Sequence, residues 1–160
     1  MKIKVLLFTL PILFFIVISS CKKEKHTNED LYEESKASGL TFYKNKDSIL
    51  SPAGGSPHGT FKLKFNSAAT VAFDSNGKLP AGGTFPNGSL IVKEVYSGGQ
   101  IILYAVMKKS DSEFAANGWL WAEYKPDGGT EYSVSKKGGA CTSCHSGSTN
   151  RDLVRTFDLH

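Results

Sequence analysis

Cys141-Thr142-Ser143-Cys144-His145 stands 15 residues before the end of the 160-residue sequence, and no other stretch narrows the choice of fold as much. Two thiols three positions apart can reach both vinyl groups of one porphyrin, and the next side chain, His145, is then aimed at the iron. The motif therefore reads as the attachment site of a single, covalently bound haem c. Three other readings compete with it. A redox disulfide should open a helix early in a βαβ unit, whereas this motif comes late in a chain with 16 glycines. Zinc needs a fourth ligand and generally a second Cys or His pair, which the neighbouring sequence does not supply. The third is chance. The position also excludes two helical designs. Small helical electron carriers put the motif near the start and a ligating methionine later, and four-helix bundles need long amphipathic helices that are missing here.

The first residues agree with chemistry outside the cytoplasm. Lys2 and Lys4 precede an apolar run from Val5 to Ile18, followed by Ser19-Ser20-Cys21, the pattern of a bacterial lipoprotein signal peptide with its cysteine acceptor. A transmembrane helix is the competing reading, weakened by Pro11 and by an apolar stretch shorter than the roughly 20 residues that spanning requires. Residues 1–20 are thus expected to be a signal peptide, with lipidation at Cys21 and the membrane as a partner through that anchor. Residues 21–55, rich in Lys, Glu, Ser and Gly, read as a lipidated tether with room for a short helix over 28–37, and residues 56–160 as the haem domain. Lys22 and Lys23 follow the cysteine without an Asp, so in a Gram-negative cell the expected location is the cell envelope, on the outer membrane facing the periplasm. Loss of Lys2 and Lys4 lowers the formal charge from +4 to +2, too little for a nucleic-acid partner.

Periodicity describes the body of the domain. Thr60 to Asn66 alternates, with Phe61, Leu63 and Phe65 on one face and Lys62 and Lys64 on the other, as in a strand wet on one side. Leu90–Tyr96 and Gln100–Met107 are apolar on both faces, and Ser97-Gly98-Gly99 joins them into a hairpin near the centre of a sheet. Trp119–Tyr124 and Thr130–Val134 form a second hairpin around Pro126-Asp127-Gly128-Gly129. Ser110 to Glu113 has capping-box spacing for a short helix ended by Gly118, and Asn66 is placed to cap another through Phe73. The expected class is α+β, mostly antiparallel β: a single sheet with two short helices and a C-terminal haem c attachment segment.

Phe85-Pro86-Asn87-Gly88-Ser89-Leu90-Ile91-Val92-Lys93-Glu94, then Gly118-Trp119-Leu120-Trp121, then the late Cys-x-x-Cys-His with Arg151-Asp152-Leu153-Val154-Arg155-Thr156-Phe157, occur in an order that resembles the cytochrome P-460 family from about Pro57 to Phe157. The resemblance implies an antiparallel sheet holding one haem c, with hydroxylamine or nitric oxide as the small nitrogen ligand at an open distal iron site. Related cytochromes c′-beta bind gases without a lysine cross-link. Alternation puts Lys93 on one face with Ile91 and Val95, where it either snorkels or pairs with Glu94 or Glu123. The resemblance adds a third role, because the lysine of the family's Val-Lys-Glu motif bonds to the porphyrin edge in cross-linked members. Lys93 is accordingly the candidate catalytic residue and haem cross-link, and Glu94, on the opposite face, a structural partner.

Phe61 and Ala105 are the candidate distal pocket. Phe61 faces inward by alternation, and the resemblance places a residue of that strand above the haem; Ala105 aligns where hydroxylamine-oxidising members carry a carboxylate. Met107, His58 and His160 are candidate sixth ligands, each with a plainer reading as a core methionine, a loop histidine or a frayed terminus. With Ala105 in place of the acid, the sequence points to a strong ligand binder with slow turnover, Glu123 being the acid that could enter from its strand. Two classes stay open: an oxidoreductase acting on hydroxylamine or nitric oxide, and a non-catalytic gas-binding lipoprotein or simple periplasmic electron-transfer cytochrome c. The electron-transfer partner and a homodimer are also left open.

Overall fold

Leu63 of Thr60–Phe65 (β2) lies opposite Lys93 of Leu90–Ser97 (β3), and Lys93 lies opposite Ala105 of Gln100–Lys109 (β4). These three strands are the middle of a six-stranded antiparallel sheet, completed by Thr41–Phe42 (β1), Trp119–Tyr124 (β5) and Thr130–Tyr132 (β6). The spatial order follows the sequence, β1-β2-β3-β4-β5-β6, so neighbouring strands are joined without crossovers. The computed structural model describes residues 10–52, 56–147 and 150–160; residues 1–9, within the stretch read as a signal peptide, lie outside the described residues. The expected fold class is the observed one, and both expected hairpins form. Gly98 and Gly99 take φ of 57° and 80°, the left-handed pair that a two-residue hairpin turn requires.

Because side chains alternate, the sheet has two buried faces. One carries Phe61, Leu63, Phe65, Ile91, Met107, Trp119 and Trp121, and is closed by Leu79, Phe85, Val154 and Phe157 from the irregular segments. The other carries Leu90, Val92, Val106, Leu120, Ala122 and Tyr124. A long helix, Leu10–Ser35 (α1), covers this second face through Leu31. Asn28 fastens it there: its amide oxygen accepts from Tyr124 Oη and the Val134 N–H, both at 3.3 Å, and its amide nitrogen donates to Ser133 Oγ at 3.1 Å. Part of the segment read as a tether therefore belongs to the fold. Tyr43 is in the core and Leu50 pairs its backbone with Phe61, at 2.7 and 3.0 Å. Composition alone hid this, since Leu31, Tyr43 and Leu50 stand in short apolar groups within a stretch that is polar overall. No helix among the described residues is long and apolar enough to cross a membrane.

The helices depart from expectation in detail. Asn66 caps Ser67–Thr70 (α2), accepting from the Ala69 N–H at 3.0 Å as its position suggested, but the helix ends at Thr70, short of the expected Phe73. The capping-box sequence after Ser110 makes a turn instead of a helix. Ser110 and Ser112 hydroxyls accept from backbone N–H groups two residues on, and Ala116 pairs with Trp119, returning the chain to the sheet before a second helical turn can form. Ser133 ends β6 early by accepting from Ser135 N–H, so Val134 opens a one-turn 3-10 helix, Val134–Lys136. Two short helices follow, Thr142–His145 (α3) and Thr156–Leu159 (α4).

Candidate haem site

The face of β2–β5 that carries Lys93 is the wall of a cavity of about 330 Å³. Its other side is built by α3 and the chain that follows. Cys141 immediately precedes α3, Cys144 and His145 end it, and all three line the cavity. Both cysteines are free thiols. Burial pushes the Cys141 thiol up to about 11, the opposite of the lowered value that marks a redox-active cysteine.

His145 is oriented by a loop and a wall. Its Nδ1 lies 2.7 Å from the Leu153 carbonyl, which can only accept, so the ring proton is assigned to Nδ1 and the Nε2 lone pair is left for a metal. Burial lowers the proton affinity of the ring, against the pull of the Leu153 hydrogen bond. The carbonyl is presented by two successive left-handed residues, Asp152 (φ 49°) and Leu153 (φ 68°), a conformation that needs external support. Asp152 supplies the support: its carboxylate accepts from Lys109 Nζ at 2.7 and 2.9 Å, from the Phe85 N–H at 2.8 Å and from Trp119 Nε1 at 3.2 Å. Trp121 meets the imidazole edge-on, with ring centroids 4.9 Å apart.

The structure brings the remaining candidates to the same cavity. Lys93, Phe61, Ala105, Met107, His58 and His160 all line it. Lys93 Nζ sits 4.4 Å from the centroid of the Phe61 ring, and burial pushes its ammonium down to about 8. Glu94 points to the opposite face, where its carboxylate accepts from Lys64 Nζ at 2.6 Å and Tyr96 Oη at 3.2 Å, so it is not the partner of Lys93. Cys21 is exposed on α1 and takes no part. His160 is not frayed: its N–H donates to the Thr156 carbonyl at 3.0 Å and its carbonyl accepts from Lys44 Nζ at 2.8 Å.

Glu123, opposite Ala105 in the β4–β5 register, puts a carboxylate in the wall even though residue 105 has none. Burial, helped by Glu131, raises its proton affinity, and its Oε1 lies 3.9 Å from His58 Nδ1. Sequence reasoning left Arg155 and Asp152 without roles. Arg155 lines the cavity and donates to Cys144 Sγ at 2.9 Å. Both stand in the segment Arg151–Phe157, whose charges between apolar residues were the available signal.

Two thiols outside any disulfide and a lone-pair nitrogen, at the start and end of one short helix and sharing a cavity with the apolar side chains of Phe61, Leu63, Ile91 and Met107, fit a thioether-bound porphyrin and its axial ligand. The sheet and this site together define a β-sheet haem c protein. The family is shown directly: the chain belongs to the cytochrome P460 family, whose model matches residues 32–156. The match begins upstream of residue 56, in keeping with α1 packing on the sheet. No curated protein matches the chain. Membership implies a haem c protein of nitrogen-compound redox chemistry.

Proposed function

We propose that this chain is a mono-haem c lipoprotein that binds nitric oxide or hydroxylamine in the cavity between β2–β5 and α3. The observation that carries the reading is the fixed imidazole: His145 Nδ1 is committed to Leu153, which leaves Nε2 without that partner in a residue that lines the same cavity as the two free thiols. Cys141 and Cys144 would hold the porphyrin by thioethers, and His145 would be the axial ligand. Haem c bound there supplies an iron that can hold a small nitrogen ligand and pass electrons. Lys93 is the cross-linking residue in this reading. Its lowered proton affinity leaves an appreciable fraction of nucleophilic amine near neutral pH. Phe61 crowds and dries the ligand's surroundings, and Ala105 leaves space between Lys93 and Glu123. Glu123 is the carboxylate available to take a proton from a bound ligand, so slow hydroxylamine turnover is assigned to it and not to residue 105. Cys21 would carry the lipid and anchor the domain in the cell envelope, on the outer membrane facing the periplasm.

The test is the optical spectrum of the reduced holoprotein beside Lys93→Ala, with and without nitric oxide. The wild type should show a strongly red-shifted Soret band, the variant an ordinary haem c band, and both should shift on adding nitric oxide. Identical spectra would reduce Lys93 to a packed lysine, and no response to nitric oxide in either protein would remove the binding role.

A further inference from the structure

Leu153 is a bulky residue in the left-handed region (φ 68°), directly after a second residue there, Asp152 (φ 49°). Two positive φ angles in succession ordinarily call for Asn and Gly, so a leucine in the second position is strained. The turn is closed by the Val154 N–H, which donates to the Arg151 carbonyl at 3.0 Å, and Val154 and Phe157 anchor the chain beyond it in the core. What the strained conformation achieves is the direction of one group, the Leu153 carbonyl, which meets His145 Nδ1 at 2.7 Å. A peptide unit in a loop can swing away from such a position, and Asp152 prevents it. Its side chain is only 8% exposed, and its carboxylate accepts from Lys109 Nζ, the Phe85 N–H and Trp119 Nε1. Those donors stand on β4, on the segment leading into β3 and on β5, so the turn is fixed to the sheet and the imidazole to the turn.

Neither Asp152 nor Leu153 is among the residues that line the cavity, so what they do to a bound haem they do through His145. A carbonyl held on the Nδ1–H makes Nε2 a stronger donor to a metal, and partners of this kind change metal affinity roughly 10- to 100-fold. We propose that Asp152 is a positioning residue for the axial ligand: by locking the Leu153 carbonyl onto His145 it strengthens the bond from Nε2 to the haem iron. The inference rests on His145 being the axial ligand of the proposed function. Lys109, paired with the carboxylate at 2.7 Å, offsets its charge, so Asp152 acts by position and not by its own field at the iron.

The experiment is resonance Raman spectroscopy of the reduced holoprotein, which reads the iron–histidine stretch on five-coordinate iron, prepared by photolysis of the carbon monoxide complex where a sixth ligand is bound. Asp152→Gly removes the carboxylate and leaves a residue that tolerates the left-handed backbone, and Lys109→Met removes the cation. The two substitutions change the local charge in opposite senses but loosen the same turn, so both should move the stretch to lower frequency. Asp152→Asn, which keeps an acceptor for Phe85 and Trp119, should move it less than Asp152→Gly. If the glycine variant does not fold, the asparagine and Lys109→Met variants carry the same test. Lower urea stability with an unchanged stretch in every variant would make Asp152 a structural anchor only. Shifts of opposite sign in Asp152→Gly and Lys109→Met would assign the effect to charge and overturn the proposal as well. A wild-type protein that shows no iron–histidine stretch at all would instead remove His145 from the iron, and with it the axial ligand of the proposed function.

Discussion

Lys93 and His58 face the same cavity, and burial acts on both in the same direction. Lys93 falls to about 8 from the ordinary 10.5, and His58 to about 4 from 6.5, with Lys93 adding like charge to the effect of burial against a protonated His58. For His58 the consequence is acid lability. Below pH 6.5 the unfolded chain takes up a proton that the folded chain refuses until about pH 4, so the stability present above 6.5 is lost as pH falls through that window. His58→Gln should flatten this loss by up to about 3 kcal/mol at the acid end, measured as urea stability from pH 7 to 4. Parallel losses in variant and wild type would contradict the assignment. Period two made Lys93 and Glu94 legible as residues of opposite faces. His58 and His160 lie outside the regular strands, where no period reports direction, so the sequence could name them and not place them.

Among the elements, α3 depends on the bend that precedes it. Gly138 has φ +62°, and a Cβ there would stand 2.5 Å from Trp121 Cδ1, the ring that packs on His145. Gly138→Ala should cost about 2–4 kcal/mol from the left-handed backbone and the overpacking, and should lower the fraction of chains that carry haem. Gly139→Ala meets only ordinary contacts, 3.4 Å from the Lys136 carbonyl and 3.9 Å from Tyr132 Oη, and should cost under about 1 kcal/mol. Urea unfolding and haem content measure both; equal effects would sink the account of the bend. Hairpins were legible because Gly98-Gly99 can do little else between two apolar runs. The capping-box segment was misread because Ser110 and Ser112 satisfy the same backbone groups in a turn as they would in a helix.

For the whole molecule, the N-terminal third is where sequence and structure diverge most. A polar composition describes the exposed side of α1 correctly and conceals the side that packs. Leu31, Asn28 and the Tyr32 hydroxyl, which donates to the Pro126 carbonyl at 2.6 Å, tie α1 to the face opposite the haem cavity. A protein beginning at residue 37 should therefore be less stable than one beginning at Cys21 by at least about 3 kcal/mol, from Leu31 burial and the opened face of Val92, Val106 and Tyr124. A free tether predicts equal urea midpoints, and that outcome would return residues 21–36 to a spacer role.

The central claim is one covalent haem c carried by Cys141 and Cys144 with His145 as axial ligand, and the most direct test is extraction with acidified acetone after expression with haem-attachment machinery. The wild-type protein should keep its colour and an intact mass increased by one haem, and the Cys141→Ser, Cys144→Ser double variant should lose both. Extractable haem from the wild type, or colour retained by the double variant, would contradict the claim.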